Sequence, residues 1–244
     1  MPIRLARRPF GLPALGAVAA LTLVGCGTEP GKPASEPTSA APAAPAASAS
    51  RPLTAEQLVA AALPGEESAD SYGHPVSVRK PRTADPKSEP SDPACAQMLA
   101  AAHARQPSRP TPAVAVQTFN WKNDVSGGGS TLASYGNSGA VAAFAQIREG
   151  LNTCRYFETP APAPAMIYRG TVTVAAAPRL GDEAVQFDIT APSEMGAHVT
   201  QYTVVRTGRV VATFTKLSVG GLDPHDFPAG LIAQQVSLLQ QAQS

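Results

Sequence analysis

Three cysteines carry most of the chemistry available to this chain, and their spacing gives them different tasks. Cys26 closes the order Leu23-Val24-Gly25-Cys26, at the end of an apolar run over 10–25 that follows Arg4, Arg7 and Arg8. A basic start, a short apolar segment and small residues before a cut are the marks of an export signal. Here the cut falls before Cys26, whose thiol would then carry lipid, as in a bacterial lipoprotein precursor. The run is short and rich in Ala and Gly, whereas a permanent span wants about 20 strongly apolar residues. An ordinary secretory signal with a chance cysteine is the rival reading. The Leu-Val-Gly-Cys order and the tether-like segment behind it weigh against that rival. Arg7-Arg8 followed by Phe10 also resembles a twin-arginine signal, so Sec and twin-arginine export both stay open.

Cys95 and Cys154 are left as a pair, 59 positions apart. Outside the cytoplasm such a pair usually oxidises. A structural disulfide is the expectation, and it would stabilise the fold by roughly 4 kcal/mol in the chain-entropy model. A metal pair and a redox-active thiol are the rivals. Metal sites favour closely spaced Cys and His sets such as CxxC, which this sequence lacks.

The remaining candidates for chemistry are scattered. His74, His103, His198 and His225 form neither HExxH nor a pair at helical ligand spacing. Asp226, in the turn DPHDFP, reads as a helix N-terminal residue rather than a catalytic acid. Ser130 and Ser138 lie near glycines but complete no GxSxG nucleophile elbow. Gly127-Gly128-Gly129 lacks the Lys-Ser/Thr ending of a phosphate loop and reads as a flexible connection. Asp182-Glu183 could be an acid pair, though surface solvation explains adjacent carboxylates more simply. Trp121, Tyr135, Tyr168 and Tyr202 are possible pocket aromatics, with core packing the default for each. The sequence therefore assigns no catalytic residue, no metal ligand and no cofactor, and the expectation is a protein that is not an enzyme.

The elements that would position these residues are read from periodicity and caps. Thr54-Ala-Glu-Gln57 has capping-box form and opens a helix that Pro64 stops. Residues 65 to 93 are polar and Pro-rich, with a short strand around Val76 and Val78. A second helix begins near Pro93 and places Cys95, Met98, Leu99 and Ala102 on one stripe. Ala113 to Trp121 reads as a strand, and a Gly-rich break over 126–130 separates it from a short partner over 131–135. Ser138 can cap a third helix to about Thr153, with Phe144, Ile147, Leu151 and Cys154 facing inward. Met166 to Val174 is a strand, and Val185, Phe187 and Ile189 alternate as the buried face of the next. Val199–Arg206 and Arg209–Leu217 flank Thr207-Gly208 as a tight hairpin. The last helix, from Pro228 to about Gln241, buries Ile232, Val236 and Leu239 and exposes its glutamines. Strands and helices do not alternate as in a parallel βαβ array, so the fold class is α+β.

Three segments follow: a lipoprotein signal over 1–25, lipidated Cys26 with an Ala/Pro/Ser-rich tether over 26–52, and a folded domain over 53–244. The tether has almost no large apolar side chain and cannot offset the entropy of ordering. Without the three signal arginines, 16 basic residues stand against 18 acidic ones, a net charge of −2 with His neutral. A near-neutral domain lacks the concentrated basic face that nucleic acid asks for. The expected location is the cell membrane, lipid-anchored on its extracytoplasmic face.

The folded part resembles the PknH-type extracellular sensor domain of actinobacterial receptor Ser/Thr kinases and related stand-alone lipoproteins. The residues that carry the resemblance are Leu53-Thr-Ala-Glu-Gln-Leu58, Cys95, Val141-Ala-Ala-Phe144 leading to Leu151-Asn-Thr-Cys154, Gly181-Asp182-Glu183-Ala184-Val185, and Val204 to Val211. The resemblance implies a twisted antiparallel sheet packed with helices around a cleft that takes an unidentified ligand. Kinase-borne members resemble a two-disulfide pattern, whereas a single pair is available here. No kinase segment is present over these residues, so signalling would need a separate protein partner. The expectation is a membrane-anchored, non-catalytic, ligand-binding or sensor-like lipoprotein. A cell-envelope hydrolase acting through Ser130 or Asp182, and a structural envelope protein, are the alternatives.

Overall fold

The computed structural model describes residues 51–65, 71–73, 76–79, 89–106, 111–122, 124–160, 167–221 and 225–244. The signal, Cys26, the tether as far as Ser50, and His74 lie outside the described residues.

Local chemistry sets the helix starts. Helix α1 (Ala55–Ala60) opens on the expected capping box, in which Thr54 and Gln57 exchange side-chain and backbone bonds. Helix α2 (Pro93–Ala102) has Pro at its first position, and Asp92 Oδ1 accepts from Cys95 N at 2.8 Å. Helix α3 (Gly139–Thr153) begins after Ser138, whose hydroxyl makes no capping bond. Helix α4 (Ala229–Gln243) starts after Pro228, so Asp226 is not its cap. Asp226 instead accepts a hydrogen bond from Gln201 Nε2.

Among the described residues the strands are β1 (Ser71–Gly73), β2 (Ser77–Val78), β3 (Ala113–Trp121), β4 (Gly128–Ser134), β5 (Tyr156–Pro160), β6 (Ile167–Ala175), β7 (Glu183–Ala191), β8 (His198–Thr207) and β9 (Val210–Val219). They form one antiparallel sheet in the order β1-β3-β4-β9-β8-β7-β6-β5, with β2 also paired to β3. From β4 the chain crosses through α3 to the far edge at β5. It then returns by hairpins until β9 seats beside β4. The short edge strands β1 and β5 were not among the expected elements. Thr207 pairs with Val210, so the hairpin turn is Gly208-Arg209, one residue later than the expected Thr207-Gly208. Gly208 takes φ +55°, a left-handed value suited to the first central residue of such a turn.

The Gly-rich stretch is not the flexible connection its composition suggests. Gly128, Gly129 and Ser130 are the first residues of β4. A Cβ on Gly128 would fall 2.7 Å from both Thr215 O and the Trp121 ring. The glycine is there to let the indole lie against the strand.

Alternation sorts the sheet into two apolar faces, and helices cover parts of both. Val114, Ala133, Val172, Phe187, Val204 and Val211 pack with α2 and α3. Ala115, Phe119, Leu132, Ala212 and Phe214 pack with Leu58 of α1 and with Ile232, Val236 and Leu239 of α4. The α+β reading holds, with the sheet as the dominant element.

Cys95 and Cys154, both fully buried, form the expected disulfide with their Cα atoms 5.0 Å apart, tying α2 to the end of α3. One glutamine departs from the expectation. Gln235 of α4 is fully buried, accepting from Leu63 N at 3.0 Å and donating to Ala61 O at 2.6 Å. Gln117 Nε2 donates to Leu63 O at 3.0 Å, so both backbone groups of Leu63 end on glutamine side chains.

Candidate functional site

The site begins where α2 ends. Arg105 N donates to Ala100 O at 2.7 Å and Ala104 N to Ala101 O at 3.1 Å, the paired bonds of a Schellman turn. Such turns usually place glycine in the left-handed position; here Ala104 holds it, at φ +50°. An L-residue in that conformation costs roughly 1–2 kcal/mol. Ala104 is buried in the core beneath, and that burial offsets the strain. Two further bonds clamp the end. Thr213 Oγ1 of β9 donates to Ala102 O at 2.7 Å, and Arg79 Nη2, just past β2, donates to His103 O.

The clamped turn sets His103 over the sheet. Its Nε2 lies 3.3 Å from Tyr202 Oη, the imidazole tautomer deciding which of the two donates. The imidazole meets the Tyr202 ring edge-on at 5.6 Å, and Tyr202 in turn stacks on Phe187 of the neighbouring strand at 4.8 Å and 3°. Tyr202 and Phe187 are direct cross-strand partners on the face that α2 and α3 occupy.

Burial is the first cause of each pKa shift at this site. Burial, then the charges of Arg105 and Arg79, pushes the partly exposed His103 down to about 4. Burial, with Tyr168 adding to it and Arg105 opposing, pushes the Tyr202 phenol well up. Burial pushes Tyr135 up to about 12 against the opposing charge of Arg79, and its hydroxyl is buried without a hydrogen-bond partner among the described residues. At neutral pH His103, Tyr202 and Tyr135 are thus all uncharged. A general base works best with a pKa near the working pH, so an imidazole at about 4 is a weak one. The His103–Tyr202 pair is thus a hydrogen-bonded pair of neutral groups, with Tyr202 in the core.

The other candidates do not gather here. Ser130 and Trp121 lie on the opposite face of the sheet. Ser130 Oγ is buried with no hydrogen-bond partner among the described residues. Trp121 packs against Phe119 and Phe227. Asp182 and Glu183 both hold Arg206, at 2.7 and 2.8 Å, and Asp182 also accepts from Gly208 N at the β8–β9 turn. His225 pairs with Asp188 at 3.1 Å. His198 shares a face with Tyr202 on β8, and its Nε2 is buried with no hydrogen-bond partner among the described residues. Among the described residues no group of three or more His, Cys, Asp or Glu is placed to hold a metal ion.

Sequence reasoning missed Lys216. It is buried on β9, with Nζ 2.9 Å from the equally buried Asp124 Oδ2 and 5.7 Å from the Trp121 ring centroid. Asp124 Oδ1 accepts from Ser126 N and Gly127 N, so the ion pair pins the turn into β4. A signal was available, because Lys216 continues the inward alternation of Val210, Ala212 and Phe214. Arg79 and Arg105 were also missed, and no local pattern marks them.

No family model and no curated protein matches the chain. A solved structure of an uncharacterised protein from Mycobacterium smegmatis, an Rv0999 ortholog, is similar at 11% identity and a TM-score of 0.35. The match covers 77% of this chain and 92% of that one, too distant a likeness to assign a family or a function. Among the described residues no helix is long and apolar enough to cross a membrane.

Proposed function

We propose that this protein is a membrane-anchored extracytoplasmic lipoprotein whose folded domain binds a ligand without turning it over, in the manner of the PknH-type sensor domains it resembles. Lipid on Cys26 anchors it, the 26–52 tether holds the domain away from the bilayer, and the cleft lies on the sheet face beside the end of α2. The observation that carries the binding reading is the His103–Tyr202 pair: an uncharged imidazole held by a clamped, strained helix end, against an uncharged phenol on β8. Left-handed strain at a non-glycine residue concentrates at ligand clamps and active sites. The low basicity of His103 favours the former. Oxidation of Cys95 and Cys154 agrees with an extracytoplasmic home.

The test is capture from envelope extract with the full chain, alongside a variant carrying both His103→Ala and Tyr202→Phe. A compound retained by the parent and lost by the variant is the expected result. Equal retention by both, or turnover of envelope material by the parent, would remove the reading. Incorporation of labelled fatty acid that disappears in Cys26→Ser tests the anchor separately.

A further inference from the structure

We propose that Lys216 and Asp124 become joined by an amide bond from Lys216 Nζ to Asp124 Cγ, a covalent crosslink that ties the turn ahead of β4 to β9. The proposal is independent of the ligand-binding reading above.

The reacting groups stand in contact and out of water. Lys216 Nζ is 2.9 Å from Asp124 Oδ2, and each side chain is 1% exposed. The carboxyl carbon lies a single bond beyond that oxygen. Trp121 roofs the nitrogen, its ring centroid 5.7 Å away, and Gly128 lacks the Cβ that would push the indole off the strand. Lys216 and Gly128 are direct cross-strand partners, so the strand pairing itself holds the lysine at this height. Nζ donates to Leu217 O at 2.6 Å, and Oδ2 has no hydrogen-bond partner among the described residues. Oδ1, the other carboxylate oxygen, accepts from Ser126 N at 3.0 Å and from Gly127 N at 2.9 Å.

These are the parts of an acyl-transfer site. Two fixed backbone N–H groups on one carboxyl oxygen stabilise the negative charge that a tetrahedral intermediate places there. Reactants held in contact behave as if at an effective concentration on the order of 10⁵ M or more. Two charges taken out of water are costly to keep, and a neutral amide in their place removes that cost. The step balances within the pair. A proton passes from Nζ to Oδ2, leaving an amine and a carboxylic acid. The amine lone pair attacks Cγ, and the carbonyl electrons move onto Oδ1, where the Ser126 and Gly127 N–H groups hold them. As the carbonyl re-forms, the Cγ–Oδ2 bond breaks, and Oδ2 takes a second proton from Nζ and leaves as water. One C–N bond replaces one C–O bond, nothing is oxidised or reduced, and no co-reactant is needed.

The experiment is tandem mass spectrometry on a tryptic digest of the full chain. Trypsin cuts after Lys and Arg, and an acylated Lys216 resists it. The digest should therefore hold 123–148 and 210–244 as one branched peptide, lighter by one water than the two segments together. Its fragment ions should join Lys216 to Asp124. Lys216→Arg and Asp124→Ala should each abolish the branched peptide. Separate peptides 123–148, 210–216 and 217–244 at full mass from the parent would overturn the proposal. So would a loss of water confined to 123–148 with Lys216 still cleaved, which marks a succinimide at Asp124. A branched peptide that persists in Lys216→Arg would equally overturn it.

Discussion

Replacing Gln235 by Leu should destabilise the fold far more than its place in a glutamine-rich helix suggests. The side chain is fully buried and bridges Leu63 N and Ala61 O, joining α4 to the segment after α1 across more than 170 positions. Leucine nearly matches the volume but removes both partners, leaving one N–H and one C=O buried and unpaired. Each orphaned group costs about 1–3 kcal/mol, and the added apolar burial returns part of that, so the net loss is about 2–4 kcal/mol. Set against the roughly 5–15 kcal/mol that holds a typical domain together, this is a large fraction. Urea unfolding followed by fluorescence gives a direct assay, because Trp121 is the single tryptophan and packs on the face that α1 and α4 cover. The midpoint should fall with an unchanged slope. Gln234→Leu, at the exposed position next door, is the control and should shift stability by less than about 0.5 kcal/mol. If Gln235→Leu matches that control, the two hydrogen bonds do not hold α4 to the α1 segment.

Four other perturbations have definite outcomes. His103 is depressed from 6.5 to about 4 in the fold, so the unfolded chain binds more protons between those values. Its stabilisation is complete above about pH 6.5 and is lost as pH falls towards 4. The parent should lose about 3 kcal/mol more than His103→Gln over that window, read from urea midpoints at each pH. Removing the disulfide as Cys95→Ala with Cys154→Ala opens a loop of 59 residues and should cost about 4 kcal/mol, and a loss under about 1 kcal/mol would contradict it. Gly128→Ala forces a methyl against Thr215 O and the indole and should cost about 1–3 kcal/mol with a shift in Trp121 emission. Gly230→Ala, in α4 with open space around it, should instead be neutral or slightly stabilising.

Much of the fold was legible because its signals are local. The capping box at Thr54, the Pro93 start, the Ala113–Trp121 strand and the Val185-Phe187-Ile189 alternation each depend on neighbours a few positions away. The inward stripes of two helices brought Cys95 and Cys154 under suspicion as a pair, and the structure joins them. Readings from composition alone fared worse. Three glycines suggested a loose connection, yet two of them lie in β4. Glutamines suggested a wet helix face, yet Gln235 is buried. Strands β1 and β5 are short and carry too little periodic pattern to stand out.

The chain by itself determined the capped helices, the hairpin strands, the α+β class and the two cysteines that could meet, because hydrophobic period and capping act over one or two turns. Tertiary structure alone decided that Arg79 and Tyr202 meet at His103, that Lys216 finds Asp124, and that Gln235 completes the hydrogen bonding of Ala61 and Leu63. Charge, burial and hydrogen-bond satisfaction at those places depend on which distant strands the sheet sets side by side, and no short stretch of residues carries that order.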